Sequence, residues 1–176
     1  FLLTIMKPIF GYICYHFIKN GESETAGVVI ILIMLGDMYD GILFRKYKPN
    51  IEKKIYKNVT LGKARRAMNV VFDRIVTIAI SFSALLYSSF PLWLFCLITA
   101  REIITSSVVI YTCYIRTFWL TPNRVSQASS FTVGLIVSVW LFGYTQSAYI
   151  LTPLMILGSF AGTLMYLKQT EYRPPS

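Results

Sequence analysis

A chain of 176 residues that is 55% hydrophobic, with a mean hydropathy of +0.57, carries too little polar surface to cover a water-soluble globule. The length admits several membrane spans of about 20 residues and leaves no room for an ordinary soluble domain between them, so one transmembrane domain over 1–176 is expected. The formal net charge of +9 is concentrated in one segment, which fits anionic lipid headgroups better than nucleic acid.

The first apolar run covers 2–18 and ends at Lys19, Asn20, Gly21, Glu22, Ser23 and Glu24. No secretory cleavage pattern opens the chain, and Phe1 in place of Met fits a start part-way into the first element. A second run, 26–44, carries Asp37 and Asp40 towards its end, and a basic loop follows over 45–66. The third run is 67–89, and Pro91 opens the fourth, 91–114. A polar link with Arg116, Pro122, Asn123 and Arg124 leads to the fifth, 128–144, and the sixth, 148–167. The expected fold is an all-α integral membrane protein, a bundle of six transmembrane helices.

Orientation follows from Lys and Arg. The loop 45–66 holds Arg45, Lys46, Lys48, Lys53, Lys54, Lys57, Lys63, Arg65 and Arg66, against Lys19 on the opposite side, which makes the loop cytoplasmic. Six spans then place both termini inside, in agreement with Lys168, Arg173, Arg116 and Arg124.

The acids carry the functional signal. The chain has three aspartates, Asp37, Asp40 and Asp73, and all lie inside or at the ends of apolar runs. A charge at the centre of a span costs roughly 2.5–3.5 kcal/mol on insertion scales, so such residues mark pathways, metals or substrates. Asp37 and Asp40, at i and i+3, share a helix face, as do Asn69 and Asp73 at i and i+4. Two antiparallel neighbours could turn these pairs towards each other. The result is a cluster of hard oxygen ligands suited to Mg²⁺ or Mn²⁺ with phosphate completing the octahedron. The alternative is that the aspartates sit at interfacial depth and pair with Arg74 and Arg45.

Asp37-Met38-Tyr39-Asp40-Gly41-Ile42-Leu43-Phe44-Arg45, followed by Asn69-Val70-Val71-Phe72-Asp73-Arg74, resembles the signature of the CDP-alcohol phosphatidyltransferase family, D-x-x-D-G-x-x-A-R then G-x-x-x-D-x-x-x-D. Both aspartates, the glycine and the arginine of the first half match, with Phe44 in place of alanine. In the second half Arg65 stands for the glycine and Asn69 for the third aspartate, while Asp73 takes the fourth, after a long spacer. A second register makes Asp73 the third aspartate and puts Thr77 in the fourth position. Ala100-Arg101-Glu102-Ile103-Ile104 is similar to the A-R-E-I segment of the phosphatidylglycerophosphate synthase branch, and Asn123-Arg124-Val125-Ser126-Gln127 to the family's G-K-x-S-T stretch.

The resemblance implies transfer of a phosphatidyl group from CDP-diacylglycerol to an alcohol with release of CMP. Asp37, Asp40 and Asp73, with Asn69 as a weaker ligand, would hold Mg²⁺ or Mn²⁺. Gly41 and Arg45 would meet the nucleotide and its phosphate, and Asp73 would act as general base. Arg101, Glu102 and Arg124 would contact the acceptor, with glycerol 3-phosphate the first choice and an inositol phosphate the second. Arg101 with Glu102 is alternatively a self-neutralising structural ion pair. Asn69 supplies a neutral oxygen where a carboxylate belongs, so a weakened relative that binds nucleotide or lipid stays open, as does an unrelated transporter lined by Asp73, Arg101 and Glu102.

The remaining residues carry structural expectations. Cys14, Cys96 and Cys113 show no C-x-x-C spacing and read as reduced packing residues, and His16 as a structural residue. Trp93, Trp119 and Trp140 suit interfacial belts. Gly158 and Gly162 form a G-x-x-x-G pair that would seat either a close helix contact or a homodimer.

Overall fold

The structure is a computed structural model that describes residues 2–36, 39, 59–111 and 124–169, with side chains over 6–36, 39, 72–108, 110–111, 125–165 and 167–168. It is all-helical over these residues. Six helices follow one another: α1 Leu2–Lys19, α2 Ser23–Gly36, α3 Val59–Tyr87, α4 Leu92–Ile110, α5 Arg124–Leu141 and α6 Thr145–Gln169.

The expected runs map onto these helices with informative shifts. α3 begins at Val59, inside the segment expected as loop 45–66. Ala, Lys, Arg and Leu are good helix formers, so the backbone ladder continues past the end of the apolar run. α5 likewise starts at Arg124, ahead of the expected 128, and stops at Leu141. Pro91, in extended conformation, opens α4 as expected.

Two of the connections are glycine turns. Gly21 and Gly143 both sit at φ +83°, a left-handed conformation that a Cβ disfavours. After each, the chain closes the preceding helix in the same way: Glu22 N–H donates to Phe17 C=O at 2.9 Å, and Tyr144 N–H to Val139 C=O at 3.0 Å. These are Schellman closures that satisfy end carbonyls. The third short turn, between α3 and α4, contains Ser89 at φ 55°.

α3 is the central element, packed on α1, α4 and α5, while α6 packs on α5 and α4. α2 joins the bundle through Gly27 against the Phe142 ring and Met34 against Gly134. Cys14, Ile18, Ile80, Ala84, Phe90, Leu94, Ile98, Ile136, Val137 and Met155 form the buried core. A Cβ on Gly158 or Gly162 would stand 3.2 Å from Ser129 Cβ or 3.1 Å from Ser126 Cα, so this pair serves close α5–α6 packing within the chain. Cys14 is buried as expected, but Cys96 is exposed on the outer face of α4 and packs no core; both are free thiols.

Among the described residues one helix is by itself long and apolar enough to cross a membrane, over Thr145–Met165, while the apolar stretches Ser23–Gly36 and Val125–Leu141 are shorter. Over the described residues the fold is therefore a six-helix bundle with one helix of membrane-spanning length and apolarity.

Candidate functional site

The three short turns lie at one end of the bundle. One depression is lined by both Gly21, Glu22, Ser23, Glu24 and Thr25 and Leu141, Phe142 and Gly143, which makes the α1–α2 and α5–α6 turns neighbours. Trp140 Nε1 donates to Ser88 C=O at 3.1 Å and brings in the α3–α4 turn. The interior charges lie away from this end. Asp73 precedes Tyr87 along α3 by about 20 Å at 1.5 Å per residue.

Two polar assemblies occupy that other part of the bundle. In the first, the Lys7 ammonium of α1 donates to Asp73 Oδ1 of α3. Lys7 is 7% exposed, while the Asp73 side chain retains 33% of its exposure. The helices are set for this meeting by packing one turn further on: Gly11, four residues after Lys7, lies against Val76, three residues after Asp73.

The second assembly links four helices. Glu102, 1% exposed on α4, accepts from Arg74 Nη1 of α3 at Oε2 and from Arg101 Nη1 at Oε1. Arg101, also buried, donates through Nη2 to Ser129 Oγ at 3.2 Å and Ser130 Oγ at 2.9 Å on α5, and through Nε to Ser159 Oγ at 3.1 Å on α6. The serines are themselves seated: Ser130 donates to Ser126 C=O at 3.1 Å and Ser159 to Met155 C=O at 2.6 Å. Two guanidiniums thus share one carboxylate. Arg74 Nε is buried with no hydrogen-bond partner among the described residues.

These contacts decide several expectations. Of the expected pairing of the aspartates with Arg74 and Arg45, the described part differs: Asp73 pairs with Lys7 and Arg74 with Glu102, both across helices. Arg101 and Glu102 do pair, but not as a self-contained couple, because Arg74 takes the second carboxylate oxygen. Thr77 donates to the Asp73 backbone carbonyl at 2.8 Å, a back-bond within one helical turn. His16 Nδ1 lies 3.0 Å from Asn20 Nδ2, a pair within one helical turn.

Asn69 lies on α3 one turn before Asp73, and Arg124 is the first residue of α5; the side chains of both are outside the described residues. Asp37, Asp40, Gly41, Arg45, Cys113 and Trp119 also lie outside them, as does any pairing of Arg45. Among the described residues no group of three metal-ligating side chains assembles. Asp73 keeps a partly accessible carboxylate, a hard oxygen donor by type.

Sequence reasoning missed Lys7 and the serines. Lys7 carried the signal already applied to the aspartates, a charge inside an apolar run. Ser126, Ser129 and Ser130 carried a weaker one, hydroxyls spaced by three and four residues on one helix face. The chain matches no known protein family, no characterised protein and no solved structure.

Proposed function

We propose that the chain is a multi-pass membrane transferase whose six helices span the bilayer and whose site faces the cytoplasm. It moves a phosphatidyl group from CDP-diacylglycerol to an alcohol, a phosphorylated one such as glycerol 3-phosphate, and releases CMP. The observation that carries this reading is the clustering of charge inside the bundle, Lys7 with Asp73 and Arg74 with Glu102 and Arg101.

The polarity of the bundle supports the membrane placement. Charges and hydroxyls are turned inward, whereas Ile150, Leu154, Leu157 and Phe160 form an exposed apolar stripe on α6, with Ile150 at 72% exposure. At the turn end Trp93 stacks on Tyr149 with centroids 5.8 Å apart, and exposed Tyr144 and Tyr87 lie at the same level, an arrangement suited to an interfacial belt. Lys and Arg are concentrated in the sequence over 45–66, ahead of Asp73 along the chain, which supports a cytoplasmic site.

In this reading the acceptor hydroxyl oxygen attacks the phosphorus that carries the diacylglycerol, and the phosphorus–oxygen bond to CMP breaks. Asp73 takes the hydroxyl proton, and CMP leaves with the bridging oxygen. Arg74 and Arg101, two guanidiniums on one carboxylate, favour an anion nearby, and Arg74 Nε offers a buried donor to an acceptor phosphate oxygen. Ser129, Ser130 and Ser159 fix the Arg101 plane. Asp73, together with Asp37 and Asp40, would hold Mg²⁺ or Mn²⁺, which would supply positive charge to offset the diphosphate.

The test is CMP release from CDP-diacylglycerol by the purified protein with Mg²⁺ or Mn²⁺ and a panel of alcohols. Metal-dependent release from the wild type that Asp73→Asn abolishes is the expected result. Release only from Asn69→Asp would identify a weakened relative, the second reading that Asn69 itself favours. Silence from all three proteins would overturn the transferase reading in favour of a transporter.

A further inference from the structure

We infer that the seam between α3 and α4 holds ordered water on Arg74 Nε, Thr99 Oγ1 and Ser81 Oγ, and that one water bridges the two hydroxyls. These three are buried polar side-chain atoms without a hydrogen-bond partner among the described residues, and all belong to these two helices. The Arg74–Glu102 pair and the Phe82–Phe95 ring contact, with centroids 5.8 Å apart, set α3 and α4 antiparallel along the seam. Ser81 follows Arg74 by seven residues, two helical turns, and so returns to the face of α3 that meets α4. Thr99 precedes Glu102 by three, on the face of α4 that meets α3.

A helical serine or threonine commonly satisfies its hydroxyl by donating to the carbonyl four residues back. Thr77 and Ser83 do so on α3, at 2.8 and 2.7 Å, and Thr105 does so on α4 at 2.8 Å. Ser81 and Thr99 do not, so their hydroxyls are turned away from their own backbones. Ser81 is 0% exposed, and an unmet hydroxyl at that depth is costly. Water is the smallest partner that both donates and accepts. The register of the seam puts Thr99 level with Thr77 and Ile78, three to four residues before Ser81, which is roughly 5–6 Å at 1.5 Å per residue. One water making two hydrogen bonds of about 2.8 Å has that reach. Thr77 Oγ1, having donated to its own backbone, keeps lone pairs on the same stretch of α3 for a further bond. Such water gives the Arg74–Glu102 pair a polar neighbour inside the bundle and lowers the cost of burying its charges. The inference stands without the transferase reading, under which an acceptor phosphate oxygen would displace the water on Arg74 Nε.

The experiment is water-edited solid-state NMR on the full chain in vesicles with deuterated acyl chains, which times magnetisation transfer from water to each side chain. Transfer to Ser81 and Thr99 should be at least about twofold faster than to Ile136 and Val133, core residues buried as deeply as Ser81. Thr99→Val and Ser81→Ala should each lower the thermal midpoint by about 2–4 °C, because each takes a partner from bound water. Together they should lower it by less than the sum, since either change already breaks the bridge. A dry seam would behave in the opposite way: removing an unmet hydroxyl would raise the midpoint in both variants, which overturns the inference. Full additivity would overturn the shared water. Transfer to Ser81 no faster than to Ile136 would overturn the inference as well, and that comparison on the wild type decides even where a variant does not fold.

Discussion

The two ends of this bundle are built by different means. At the turn end, order is local: Gly21 and Gly143 close their helices with backbone bonds, and Phe90 and Trp140 meet edge to face at 5.4 Å. In the charged part, order is long-range: Lys7 reaches Asp73 across 66 residues, and Arg74 reaches Glu102 across 28. Backbone groups at helix ends find partners within a turn, whereas Lys7 and Arg74, taken out of water, find theirs on other helices. Local chemistry thus closes one end, and cross-helix electrostatics orders the other.

The largest effect is expected where that electrostatic part is broken. Glu102→Gln leaves two buried guanidiniums without their shared carboxylate and should destabilise the bundle by about 3–5 kcal/mol, read as a fall in the thermal midpoint in detergent, with CMP release lost. Survival of both stability and activity would dissolve the contrast. Phe90→Ala at the turn end removes a side chain 2% exposed and should cost about 3 kcal/mol or more, while the protein that remains folded keeps its CMP release. A matching loss of turnover per folded molecule would mean that the two ends are coupled.

Gly162→Ala should cost about 1–3 kcal/mol, because the added Cβ would lie 3.1 Å from the Ser126 backbone and α5 would have to shift. Since Ser126 C=O seats Ser130, CMP release should fall too, and an unchanged KM for the acceptor would argue against the role given to Ser130. The smallest effect is expected for Trp140→Phe, which removes the indole bond to Ser88 C=O for about 1 kcal/mol and should leave activity intact.

How much of this was legible follows from the residues themselves. The runs 2–18 and 148–167 were readable because their apolar character is continuous, and Pro91 marked its helix start. α3 starts at Val59, ahead of the apolar run that begins at 67, since a helix does not stop where apolarity stops. Asp73, Arg101 and Glu102 stood out as charges in apolar surroundings. Lys7 had the same signal and went unread beside the dense lysines of 45–66, and Gly158 with Gly162 fitted an internal contact as well as a second copy.

The sequence by itself determined which residues are costly in an apolar bundle: Lys7, Asp73, Arg74, Arg101 and Glu102 are marked by composition alone, because an unpaired charge there is unstable wherever the fold puts it. Only the tertiary structure decided which charge answers which. Asp73 has Arg74 as its chain neighbour yet pairs with Lys7, and Arg101 and Glu102 admit Arg74 as a third member. Adjacent residues on a helix point about 100° apart, so the partners of a buried charge are set by the close approach of whole helices, here Gly11 on Val76 and Gly162 on Ser126.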